Sequence, residues 1–123
     1  MPVRSLNSRV LRWPNADVVI GAARNWATAL GRARKDVIRI GYIGSYARGD
    51  WGVGSDLDLV IVTDEANAPF HERALQFDAL HLPVPVEMLV YTASEWELLM
   101  SKTGRYSTML KNEARWLYKR AGR

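Results

Sequence analysis

Asp56 and Asp58 stand two residues apart at the head of the stretch DLDLVIVTD. Side chains alternate along a strand, so a strand here turns both carboxylates to one face. Strand rise sets their Cα atoms about 6.6 Å apart. Two hard oxygen donors at that spacing can share or bridge divalent cations. Without a cation they repel each other. Asp-x-Asp is also common as a solvated pair at a strand end, so the dipeptide alone leaves both readings open. Glu87 is the lone charged residue in the apolar run VPVEMLVY. A carboxylate there is costly without a partner or a metal, unless it guards an edge strand against aggregation. Gly44-Ser45 follows an apolar alternating run, where a strand gives way to a turn. Glycine admits a phosphate close to the backbone, and the following amides and the Ser45 hydroxyl can donate to its oxygens.

Other residues carry weaker signals. No lysine follows Gly44-Ser45 in the P-loop arrangement, and Gly49, Gly52 and Gly54 run in the wrong order for a dinucleotide fingerprint. Arg48 can neutralise phosphate, or brace its loop through an ion pair with Asp50 or Glu87. His71 and His81 have no acidic companions at metal-ligand spacing and read as surface or satisfied histidines. Gly41-x-x-Gly44 lies in a strand, which argues against a KH-type clamp. Trp51, in the loop before the aspartates, can stack on a base or pack into the core.

The elements that position these residues follow from periodicity. Residues 1–14 read as a lead-in ending in Trp13-Pro14. Asn15 is placed to cap a helix whose apolar face is Ala16, Val19, Ile20, Ala23, Ala27 and Leu30, with Gly31 as its stop. Ile38, Ile40 and Tyr42 alternate with Val37, Arg39 and Gly41 as a first strand. Residues 46–55 are a turn and loop. DLDLVIVTD is a second strand, with Leu57, Leu59 and Ile61 opposite the aspartates. A short helix carrying Leu75, Phe77 and Leu80 is expected within 69–80. A third strand runs from Val84 to Tyr91, and its flanking prolines suit an edge. Thr92 with Glu95, or Ser94 with Glu97, can form a capping box for the next helix. The spacing of Tyr106, Leu110, Ala114 and Leu117 predicts a last helix over 104–120. Three clear strands are too few for a doubly wound sheet. The expected fold is α+β, a small mixed β-sheet of three to four strands with helices packed on it.

With 123 residues the chain suits one domain spanning 1–123. Its apolar content of 48% argues against disorder. There is no cysteine, which excludes a disulfide framework, a thiolate zinc site and a cysteine nucleophile. That usage, the lack of an apolar signal-like run at the N-terminus and the lack of a membrane-length apolar segment lead to the expectation of a cytoplasmic protein. The net charge of +4 hides an asymmetry. Residues 1–35 carry seven basic groups against Asp17, and residues 102–123 carry seven against Glu113. The middle carries eleven acids against Arg39, Arg48 and Arg73. Basic flanks around an acidic centre suit a polyanionic partner, or are two solvated helices beside acidic loops.

Taken together, Gly44-Ser45, ten intervening residues and Asp56-x-Asp58 resemble the signature of the DNA polymerase beta-type nucleotidyltransferase superfamily, and its minimal nucleotidyltransferases in particular. Ala47-Arg48-Gly49 and Ser55 match the spacer, and Glu87 falls where the family places its third acid. The resemblance spans about residues 36–91. It implies that Asp56, Asp58 and Glu87 are catalytic and hold two Mg²⁺ ions. It also implies that Gly44, Ser45, Arg48 and Ser55 bind a nucleoside triphosphate, ATP by default. The reaction implied is transfer of a nucleoside monophosphate to a hydroxyl with release of pyrophosphate.

The chain is short beside larger members that carry acceptor-binding domains, and the expectation is that it lacks them. Minimal members resemble antitoxins that add AMP to a HEPN-type ribonuclease toxin, which makes such a toxin the expected partner. Two alternatives stand beside this. One is a non-catalytic antitoxin module that neutralises by binding. The other is transfer to RNA or a small molecule, with the basic flanks on nucleic acid, a reading not favoured. No membrane partner is expected, and a homo-oligomer is left open.

Overall fold

The computed structural model describes residues 13–121, so most of the lead-in predicted over 1–14 lies outside the described residues. Helix α1 spans Ala16–Ala33. Its predicted cap forms: Asn15 Oδ1 accepts from the Val18 amide at 3.0 Å, satisfying one of the donors that a helix start leaves unpaired. Val19, Ala23 and Ala27 are fully buried on its apolar face. Gly31 does not stop the helix. A Cβ there would run into the ring of Tyr118, so Gly31 gives a close approach rather than a break.

Strand β1 (Val37–Ile43) leads into the four-residue helix α2 (Ser45–Arg48), then β2 (Leu57–Thr63), a 3₁₀ helix (Phe70–Gln76), β3 (Val86–Thr92), α3 (Ala93–Ser101), α4 (Arg105–Glu113) and β4 (Arg115–Lys119). The sheet order is β3-β2-β1-β4. β1 pairs antiparallel with β2 and with β4, and β2 pairs parallel with β3. The sheet is therefore mixed and four-stranded, and β3 lies at one edge as its prolines suggest. A bulge between Val37 and Arg39 breaks the strict alternation expected of β1. Val37 and Ile40 thus share one core cluster, while Ile38 packs on the other face.

The last predicted helix is the main departure. It ends at Glu113, and Arg115–Lys119 forms the fourth strand instead. Leu117 fits a helical face with Leu110, but Trp116 and Tyr118 equally fit a two-residue period with strand-forming aromatics. The open edge of β1 decides between them. In the 69–80 segment a 3₁₀ helix forms over Phe70–Gln76, and of the three apolar residues expected to pack there only Phe77 is buried; Leu75 and Leu80 face solvent. The third strand begins two residues late, at Val86. Between the two candidate capping boxes, Thr92 and Glu95 form the one that caps α3.

α1 covers one face of the sheet, where Leu57, Leu59 and Ile61 are buried. Val60 and Val62 face the other side, beneath Trp96 of α3 and Leu110 of α4. That second face also carries Asp58, because Asp58 alternates with Leu57 and Leu59. Among the described residues no helix is long and apolar enough to cross a membrane.

Candidate active site

The parallel register of β2 and β3 pairs Asp58 with Glu87 directly. Neighbouring strands lie about 4.8 Å apart, so the two carboxylates leave the sheet side by side on one face. Asp56 precedes the strand and is exposed, whereas Asp58 is half-buried. Burial, and then the charges of Glu87 and Asp56, hold the Asp58 carboxyl above the usual carboxylate range; Arg48 works in the opposite direction. The three acids singled out in the sequence are thus brought to one end of the sheet.

On the other side of Asp58, β1 pairs Ile43 with it, and Gly44 follows at once. Gly44 has φ +79°, a conformation that L side chains rarely adopt. A Cβ on it would overlap Asp58 Oδ2. Glycine is required here both by the torsion angle and by the carboxylate lying against it. Its carbonyl accepts from the amides of Ala47 and Arg48, each at 3.0 Å, which closes the turn. Ser45 heads α2 and is partly exposed.

The Gly44 amide has a partner that sequence reasoning missed. It donates to Glu113 Oε2 at 2.6 Å. Glu113 ends α4, and its side chain is 12% exposed. Arg48 Nη1 lies 3.4 and 3.5 Å from the two oxygens of the same carboxylate, and Arg48 Nε donates to Asp50 at 3.1 Å. The expected ion pair of Arg48 with Asp50 forms, and its second acid is Glu113 in place of Glu87. A single acid in a basic C-terminal run, 69 residues from its partner, gives no local signal.

The loop between α2 and β2 is braced from within. Ser55 Oγ accepts from the Gly52 amide at 2.8 Å. Trp51 stacks on Tyr46 with ring centroids 5.6 Å apart, so it packs with the core. His71 and His81 are exposed, and His71 lies 3.4 Å from Glu72. Part of the basic excess of the flanks is tied up internally. Arg34 bonds Asp36, and Arg120 bonds Asp64.

The donor set suits a divalent cation in its chemistry. Carboxylate oxygens are the ligands that hard cations prefer, and the repulsion felt by Asp58 is what a cation would relieve. Among the described residues, no group of three or more His, Cys, Asp or Glu side chains is already arranged to hold a metal ion. The backbone places the acids as neighbours, and side-chain rotation would have to complete a site.

Comparison with known proteins agrees with this layout. A family model described as a nucleotidyltransferase domain matches residues 24–116, more than half of the chain. No curated protein gives a significant match. Among solved structures, the fold is similar to that of a Sulfolobus solfataricus protein described as a candidate nucleotidyltransferase, with a TM-score of 0.61 and 16% identity over 85% of this chain and 84% of that one. It is also similar to a chain in a toxin-antitoxin crystal structure with AMP-PNP, with a TM-score of 0.54 and 20% identity over 80% of this chain and 74% of that one.

Proposed function

The chain belongs to the nucleotidyltransferase domain family, and from that premise we propose that it is a Mg²⁺-dependent transferase that moves AMP from ATP to a hydroxyl group of a HEPN-type toxin, as the antitoxin of a toxin-antitoxin pair. The observation that carries the chemical part is the register pairing of Asp58 with Glu87, with Gly44 packed against Asp58. It sets an acidic cluster beside a turn suited to phosphate. The toxin partner is supported by the likeness to the toxin-antitoxin chain, at the level of fold.

In this reading Asp56 and Asp58 hold the cations, and Glu87 completes their site. Bound divalent cations would stabilise charge on the attacking and leaving oxygens of an in-line displacement. The Ser45 hydroxyl and the amides of Ser45 and Tyr46 bind the triphosphate through its oxygens. The acceptor oxygen attacks the α-phosphorus, the bond from that phosphorus to the bridging oxygen breaks, and pyrophosphate leaves. Glu87, the register partner of Asp58, would take the acceptor proton. Ser55 acts through the loop, holding its shape ahead of Asp56. Arg48 offsets charge at the turn. The whole chain, 1–123, forms the one domain that does this.

The test is to incubate the protein with labelled ATP, Mg²⁺ and host lysate, and to identify what becomes labelled. Asp56→Asn and Asp58→Asn should each lower transfer by at least about 10³-fold while the circular dichroism spectrum stays native. Undiminished labelling by both variants would sink the proposal. A second reading, neutralisation by binding alone, is favoured by one surface feature. Leu75 and Leu80, 84% and 91% exposed, border an open groove of about 740 Å³ that also includes Pro83, Pro85 and Met88. Under that reading the aspartate variants would still block the toxin.

A further inference from the structure

Gly44 is held from two sides by carboxylates of different origin. Asp58 lies against its Cα from β2, and Glu113 accepts its amide proton from the end of α4. Glu113 is an expensive choice at that place in isolation. A negative charge at a helix C-terminus opposes the helix dipole, and this side chain is also largely shielded from water. Its contacts offset that cost: the Gly44 amide at 2.6 Å and the Arg48 guanidinium at 3.4 Å. Both partners belong to the one turn, Gly44 through Arg48. Glu113 also adds negative charge near Asp58, contributing to its raised pKa.

We propose that Glu113 is a positioning residue for nucleotide binding: its carboxylate fixes the Gly44 amide and Arg48, and so sets the shape of the turn that receives the triphosphate. The inference rests on the functional reading above. It assigns the Gly44 amide to Glu113 and leaves phosphate to the groups that follow Gly44. It also makes the C-terminal helix, which approaches neither Asp56 nor Glu87 in sequence, part of the site's framework.

The experiment uses the full chain and three measurements. They are the Kd for Mg·ATP by calorimetry, the KM and kcat of transfer, and the amide proton resonance of Gly44 with its exchange rate. In the wild type that proton should be shifted downfield and protected, because it meets a carboxylate. Glu113→Ala should raise Kd and KM for ATP about tenfold or more, the order expected of one charge-assisted hydrogen bond, with kcat changed less than about threefold. Glu113→Gln keeps an oxygen that can accept from Gly44, and should restore Kd to within about threefold of the wild type. If Glu113→Ala fails to fold, Glu113→Asp serves in its place. Its carboxylate is one methylene short of Gly44, and it should lose the downfield resonance and weaken ATP binding. ATP binding by the folded Ala or Asp variant as tight as the wild type's, or tighter, overturns the role of Glu113 alone. A wild-type protein that binds no ATP overturns the functional reading and this inference together.

Discussion

Asp58 and Glu87 are register partners on parallel strands, and the second charge helps to hold the first carboxyl above its usual range. Burial is the larger cause, since Asp58 is taken partly out of water by the sheet and the Gly44 turn. Backbone pairing keeps the two acids adjacent, so side-chain rotation relieves their repulsion only in part. The strain is local and is relieved by a cation or a proton.

Divalent cations should therefore stabilise the fold. At ten times its Kd, Mg²⁺ should add about 1.4 kcal/mol, raising the melting temperature by about 4–7 °C, and excess chelator should reverse the gain. Asp58→Asn should abolish the effect. Without Mg²⁺ the same variant should be no less stable than the wild type, because it removes a like charge. Thermal melts with and without Mg²⁺ check both halves; a wild type indifferent to Mg²⁺ contradicts the proposed metal site.

Gly44→Ala should be severe for its size. The new methyl meets Asp58 Oδ2, and the φ of +79° is strained for alanine. A loss of about 1–3 kcal/mol in urea unfolding is expected, with transfer lost even in the folded fraction. Gly52→Ala is the control: nothing lies near a Cβ built there, and the backbone is unstrained, so its stability should change by less than about 0.5 kcal/mol.

Gly31→Ala tests β4. A methyl on Gly31 lands on the Tyr118 ring, which also donates its hydroxyl proton to the Gly31 carbonyl at 3.3 Å. A cost of about 1–3 kcal/mol is expected from overpacking. Adding Tyr118→Ala should recover part of the loss, as removing the obstructing ring makes the pair non-additive. Simple additivity in chemical denaturation would place Tyr118 elsewhere.

Acid stability should depend on Glu95. Arg73 first, and then the Thr92 amide, lower its pKa to about 2. A carboxyl depressed in the folded state stabilises above its unfolded value of about 4.5, and that stability is lost as pH falls toward 2. The Glu95 side chain is 42% exposed, so solvent screening reduces its contribution to about 1 kcal/mol. Glu95→Gln retains a capping-box side chain and should flatten this part of the profile between pH 5 and about 2 in urea titrations. An unchanged slope would show that the Arg73 pair adds nothing to acid stability.

The local grammar of the chain carried much of this architecture. The Asn15 cap, the apolar face of α1 and the core side of β2 all follow from spacing over a few residues. What spacing could not supply was pairing across the chain. Arg115–Lys119 fits two periods, and only the vacant side of β1 selects the strand. Gly31 looks like a helix stop until Tyr118 is brought over it. Glu113 has no motif at all, and it meets Gly44 only because α4 packs on the same face as Asp58. The Gly44-Ser45 turn was legible, but its brace was not.

The placement of β4 bears on how the protein comes into being. Chains emerge from the ribosome N-terminus first, and Gly44, Asp56, Asp58 and Glu87 all precede residue 90. The carboxylate that secures the Gly44 amide and the strand that covers β1 come only afterwards, at Glu113 and Arg115–Lys119. A nascent chain holds every acid of the site while one flank of its sheet is still bare, a surface on which strands of other chains can add. Maturation of the site and protection of the sheet are thereby one late event, completed by the same few residues.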